Sequence, residues 1–305
     1  MNYLNRISKV YQTSERIYFD DNSKFIFMSD CHRGDGSWAD SFSKNQNIFF
    51  AALSHYYKEG YTYIEIGDGD ELWENRKFQD IIDEHSDAFW IMKKFYEKDR
   101  FYMIYGNHDM VKKKDKFVTE NLYQYLRQRD GKTIPLFTNI KIHEGLVLKH
   151  KESDVEILLL HGHQVDFLNN DIWKIAKFLV RYFWKPLENF GVNDVTRTAK
   201  NYKRKTAVAK KLSEWAKKEN KILVAGHNHR PMFPLNYDTS YFNDGSCVHP
   251  RCITGIEIEE GSIQLIKWSI KSKDTGQLFI GKDILAGPIK IKNYINNNFI
   301  LTHNK

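Results

Sequence analysis

Five short apolar runs, each ending abruptly in Gly, Asp, Asn or His, constrain this chain more than any other feature: Phe25 to Met28, Tyr61 to Ile66, Phe101 to Tyr105, Val155 to Leu160 and Ile222 to Ala225. Short runs without polar alternation read as strands covered on both faces. Between the early runs lie helical patterns, Asn47 to Lys58 with Ile48, Ala51, Ala52 and Tyr56 on one face, and Phe78 to Lys98 with Ile81, Ile82, Phe89, Met92 and Phe95. Strand, helix and strand in succession predict layered α/β architecture. Farther along, Cys252 to Glu259 and Ser262 to Ile270 alternate apolar and polar residues around Glu260-Gly261, which predicts an antiparallel hairpin. Two packed sheets with helices outside are therefore expected.

The residues that follow each run form the second constraint. In order they are Asp30-Cys31-His32, Gly67-Asp68-Gly69-Asp70-Glu71, Gly106-Asn107-His108-Asp109, His161-Gly162-His163 and Gly226-His227-Asn228-His229. If the backbone stays extended past Met28, Asp30 and His32 point the same way. The glycines of the second block permit a tight turn that presents carboxylates to a cation. Asn107 offers a neutral carbonyl oxygen, and His108 beside it can serve as acid or base near neutral pH, with Asp109 placed to orient it. Taken singly, the first three blocks read equally well as turns. The two His-x-His pairs say more, because imidazole is the commonest metal ligand among side chains.

Taken together, the blocks sit at the carboxyl ends of predicted strands, where open α/β sheets place their ligands, so one crevice can collect all five. Mixed Asp, Asn and His donors without Cys suit Mn, Fe, Zn, Ni or Co better than a thiolate structural zinc. Cys31, between two candidate ligands, is expected to point away and pack. Cys247 and Cys252 flank His249 and Pro250, and two cysteines with one His fall short of a zinc set.

Three cysteines in 305 residues give no disulfide framework and fit a reducing compartment. The first residues lack a basic flank followed by an apolar core, and no apolar run is long enough to span a membrane, so a cytoplasmic protein is expected. The net charge of +7 favours anionic partners. Its source is local: residues 171–219 carry 13 Lys and Arg against 5 Asp and Glu, an excess larger than that of the whole chain. The first half of this stretch mixes those cations with Trp173, Phe178, Phe183 and Trp184. It reads either as helices buried on the main domain or as a basic lid, with peripheral contact to an anionic membrane as a further expectation.

In order, the blocks give D-x-H, G-D-x-x-E, G-N-H-D, H and G-H-x-H over about two thirds of the chain, from Asp30 to Arg230. This pattern resembles the calcineurin-like metallophosphoesterase superfamily. The resemblance implies a two-sheet α-β-β-α sandwich over 1–270, interrupted by 171–219 as a helical cap, with 271–305 left unassigned. It also implies a dinuclear centre, manganese being the first expectation, in which Asp30, His32 and His229 hold one metal, Asn107, His161 and His227 hold the other, and Asp68 bridges them. His108 would be the acid or electrostatic residue beside the scissile phosphate, paired to Asp109, with Glu71 structural. The reaction implied is hydrolysis of a phosphomonoester, phosphodiester or pyrophosphate by a metal-bridging hydroxide, without a covalent enzyme intermediate.

Arg33, immediately after the first block, is a candidate for substrate phosphate, since its fork matches phosphate oxygens; His163 is a candidate for the substrate face. The basic insertion is similar to the cap of the bacterial UDP-diacylglucosamine pyrophosphatases, although those enzymes carry Arg in place of His108. A nuclease, drawing on the same cations and aromatic residues, and a non-catalytic binding scaffold are the remaining readings. Oligomeric state is not legible.

Overall fold

The computed structural model describes residues 2–166, 202–237 and 239–295. Its strands form where the apolar runs are continuous, because both faces of each strand are covered. In β2 (Phe25–Met28), Phe25 and Phe27 enter the core shared with the other sheet, while Ile26 and Met28 pack outward under helices. The same division holds in β9 (Glu156–Leu160), where Ile157 and Leu159 point inward and Leu158 and Leu160 outward. A continuous hydrophobic run is the signature of such two-sided burial.

Seven strands make one sheet, with β2, β3 (Thr62–Ile66), β4 (Phe101–Ile104) and β7 (Ile142–His143) parallel to one another. Beyond β2 the sheet continues antiparallel through β12 (Cys252–Glu259), β13 (Ser262–Ser272) and β14 (Leu278–Lys290). The other sheet has the order β1 (Glu15–Phe19), β8 (Gly145–His150), β9, β10 (Ile222–Ala225) and β11 (Tyr241–Asn243). A separate hairpin pairs β5 (Gln124–Arg127) with β6 (Lys132–Pro135). Helices α2 (Gln46–Lys58), α3 (Phe78–Glu84) and α4 (Ser86–Tyr96) cover the seven-stranded sheet; α1 (Tyr3–Thr13) and α6 (Tyr202–Glu219) cover the five-stranded one, and α5 (Asp115–Asn121) follows β4. The layers are those of an α-β-β-α sandwich. Among the described residues no helix is long and apolar enough to cross a membrane.

The expected helix from Phe78 to Lys98 is two helices. The break falls at His85, whose backbone leaves the helical region as its ring reaches Asp40 Oδ2 at 2.7 Å and Gln46 Oε1 at 3.0 Å. The hairpin at Glu260-Gly261 forms as expected: both residues have positive φ, which suits a two-residue turn between twisted strands. Part of the unassigned segment after Lys271 supplies β14 and then Tyr294, which is buried against Phe242.

Of the basic 171–219 stretch, residues 202–219 form α6, with Val208, Leu212, Trp215 and Ala216 buried on the five-stranded sheet. Trp215 Nε1 donates to Ser8 Oγ at 2.9 Å, locking α6 to α1. The expectation for Trp173, Phe178, Phe183 and Trp184 falls outside the described residues.

One buried group far along the sheet edge gives the fold a pH signature. Burial pushes the His143 imidazole down to about 4. The folded chain therefore holds it neutral over a range where the unfolded chain protonates it, near 6.5. Stability from this group is complete above that value and falls between about pH 6.5 and 4. His143→Gln should flatten the pH dependence of urea midpoints across that window; an unchanged slope would remove His143 as its cause.

Candidate metal centre

All five loops meet at one end of the sandwich. The first two run side by side: Asp30 N donates to Gly67 O at 3.1 Å, His32 N to Asp68 O at 2.9 Å, and Arg33 N to Gly69 O at 3.0 Å. Cys247 N donates to Asp30 O at 3.3 Å, which brings in the loop after β11. The backbone is not extended there, contrary to the simple alternation argument. Asp30, His32, Asp68, His227 and His229 all have φ between 48° and 66°. Left-handed backbone at five non-glycine residues is costly, and its concentration at one place is characteristic of a functional site. It turns the chain sharply at each strand end and aims the side chains inward. Gly106 and Gly226 make the convergence possible, since a Cβ at either would collide with Asp68 or with Ser29 and Asp30 respectively.

Three groups of candidate donors result, one around Asp30, one around Asp68, and a third of His32, Glu71 and His108. In the first, His229 Nε2 lies 3.0 Å and His32 Nε2 3.7 Å from Asp30 Oδ1. In the second, Asp68, His161 and His227 offer ligand atoms that all lie within 4.8 Å of one another. Asp68 lies between the first two, with Oδ2 3.1 Å from His161 Nε2 and 3.9 Å from His32 Nε2. Its other oxygen accepts from His108 N at 2.7 Å, which sets the third loop against the centre. Asn107 is in that loop and is buried.

The donor set fits cations on three grounds. First, Asn107 Oδ1 is buried and accepts no hydrogen bond among the described residues, as expected of an oxygen kept for a metal. Second, His32 and His161 are tied at the nitrogen opposite the cluster, His32 Nδ1 meeting Glu71 Oε2 at 2.8 Å and His161 Nδ1 donating to Ile66 O at 2.8 Å, while His227 Nε2 lies 3.3 Å from Asp166 Oδ2. Metal-ligating histidines are oriented in this way. Third, the carboxylates favour positive charge at His161. Burial pulls the His161 imidazole down, yet the Asp68 and Asp30 carboxylates more than offset that and push it up to about 9.

His108 is not paired to Asp109 as expected. Its Nδ1 faces Glu71, 2.9 Å from Oε1 and 2.8 Å from Oε2, so Glu71 ties both His32 and His108. Asp109 instead accepts from Gly106 N at 2.6 Å, Gly69 N at 3.2 Å and Lys112 Nζ at 2.8 Å. A carboxylate one residue along folds back onto its own loop more readily than onto its neighbour's ring.

Arg33 is likewise placed differently from the expected phosphate contact. Its guanidinium is fully buried and engaged by Asp70 Oδ1 at 2.7 Å and Glu65 at 2.7 and 2.9 Å, so it braces the loops from beneath. His163 is buried beside His161 and Tyr105, where burial holds its imidazole well below the ordinary range. Cys31 packs in the core under the helices, as expected.

Sequence reasoning passed over Asp166, Lys112 and Trp73. Trp73 stacks on His108 with ring centroids 4.1 Å apart and planes at 19°. Its position two residues after Glu71 is the signal that was available.

A solved structure of Vps29 from Chaetomium thermophilum is 10% identical, aligned over 87% of this chain and 97% of that one, with a TM-score of 0.40. The same protein complexed with a RaPID-derived cyclic peptide, RT-D3, gives 11% identity, coverage of 86% and 95%, and a TM-score of 0.33. Likenesses this loose support no argument. No curated protein matches the chain. The family model for calcineurin-like phosphoesterases matches residues 23–231, which include every one of the five loops and more than half of the sequence. The chain belongs to the calcineurin-like phosphoesterase family.

Proposed function

We propose that the chain hydrolyses a phosphoester at a dinuclear metal centre, with Asp30, His32 and His229 holding one cation, Asn107, His161 and His227 the other, and Asp68 shared. The observation that carries this reading is the position of Asp68, whose Oδ2 is 3.1 Å from a nitrogen of one group and 3.9 Å from a nitrogen of the other. Two divalent cations would supply Lewis acidity toward phosphoryl oxygens and a water acidic enough to attack at neutral pH. Oxygen donors mixed with imidazoles are compatible with Mn, Fe, Zn, Ni or Co, and Mn is the first to test.

The chain's own residues handle the leaving group. Glu71 engages Nδ1 of His108 and leaves Nε2 as the nitrogen available to a leaving-group oxygen. Positioned proton transfer of this kind contributes about 10² to 10⁴ in rate. The ordinary phosphomonoester, phosphodiester and pyrophosphate linkages all meet these requirements.

The protein, stripped of metal and resupplied with Mn²⁺, should hydrolyse a chromogenic phosphomonoester or the matching diester, and His108→Ala should lower kcat by about 10² or more. The ratio of monoester to diester turnover narrows the substrate class. Absence of hydrolysis of monoester, diester and pyrophosphate with each of the five metals would overturn the reading.

A further inference from the structure

Trp73 touches three residues of the proposed centre, Asn107, His108 and Glu71. Its indole Nε1 donates to Asn107 O at 2.6 Å, its ring lies flat on the His108 imidazole, and its backbone N donates to Glu71 Oε1 at 3.2 Å. It is buried, 4% exposed, so the hydrogen bond to Asn107 O is shielded from water. Asn107 and His108 are adjacent residues with different tasks, one facing a cation and the other the leaving group. A single side chain fixes the carbonyl of the first and the ring plane of the second.

We infer that Trp73 is a positioning residue that couples the second metal's Asn107 to the proton-transferring His108. This inference rests on the proposed hydrolase reading. Loss of the indole N–H leaves Asn107 O buried without its donor and frees the loop to shift, while the stack on His108 can survive. Trp73→Phe isolates the first contact; Trp73→Leu removes both.

The test compares two aryl phosphates of the hydrolysed ester class, one with phenol and one with 2,4-dinitrophenol as leaving group, alongside calorimetric titration of the stripped protein with Mn²⁺. Trp73→Leu should lower kcat on the phenyl ester about 10- to 100-fold with KM within about twofold, and should lower it much less on the dinitrophenyl ester, which needs little proton donation. Trp73→Phe should weaken one Mn²⁺ step about tenfold. Equal losses on both esters with normal Mn²⁺ binding, or wild-type values throughout, would overturn the role. If the wild-type protein hydrolyses neither ester, the failure lies with the hydrolase reading on aryl esters and not with Trp73. The calorimetric comparison then still decides whether Trp73 supports Asn107.

Discussion

Asp68→Asn is expected to lower turnover by at least about 10³, more than loss of a single positioned donor commonly costs. Asn can keep an acceptor for His108 N, so the third loop stays in place; what is lost is the negative charge shared by the two donor groups. That charge is well supported in the folded chain. Burial alone would raise the Asp68 carboxyl, but the imidazoles of His161, His108 and His32 overcome burial and hold it well below the usual carboxylate range. The melting temperature of the stripped variant serves as the control for folding. Turnover above a tenth of wild type in a folded variant would mean that Asp68 does not carry the centre.

Lys112→Met is expected to destabilise the fold by about 3–5 kcal/mol, the cost of stranding buried charge by removing one partner. Lys112 is fully buried, with Nζ 2.6 Å from Asp70 Oδ2 and 2.8 Å from Asp109 Oδ2. Arg33 holds the other oxygen of Asp70 and both oxygens of Glu65. Three carboxylates and two cations thus form a buried raft beneath the first three loops. Once Lys112 is gone, the Asp70 and Asp109 carboxylates face each other across its place. Lys141→Ala, which breaks an exposed pair with Glu15, should cost no more than about 1 kcal/mol. Urea unfolding distinguishes them, and similar small losses in both variants would show that the raft adds little.

The strands and the candidate donors of the five loops were legible because both depend on local order. Two-sided burial writes itself as an unbroken apolar run, and Ile222 to Ala225 coincides with β10 to the residue. How the ligands converge was not legible. Alternation suggested that Asp30 and His32 share a face of an extended chain, whereas both residues sit in left-handed backbone that nothing in Asp-Cys-His announces. Partners drawn from other loops were hidden for a related reason. Asp109 looked like the orienter of His108 because it is adjacent, but Glu71, from the preceding loop, has the reach and direction to engage Nδ1. Arg33 looked like a phosphate contact because its acidic partners lie 32 and 37 positions away. The helix from Phe78 was expected to continue because its periodicity does, and only the contacts of His85 with Asp40 and Gln46 reveal why it stops.

The most direct test of the central claim is the number of metal ions held. Mn²⁺ titrated into the stripped wild-type protein should bind to about two equivalents per chain, with Asp68→Asn weakening both steps. A folded wild-type chain that takes up one equivalent or none, across Mn²⁺, Fe²⁺, Zn²⁺, Ni²⁺ and Co²⁺, would contradict the dinuclear centre.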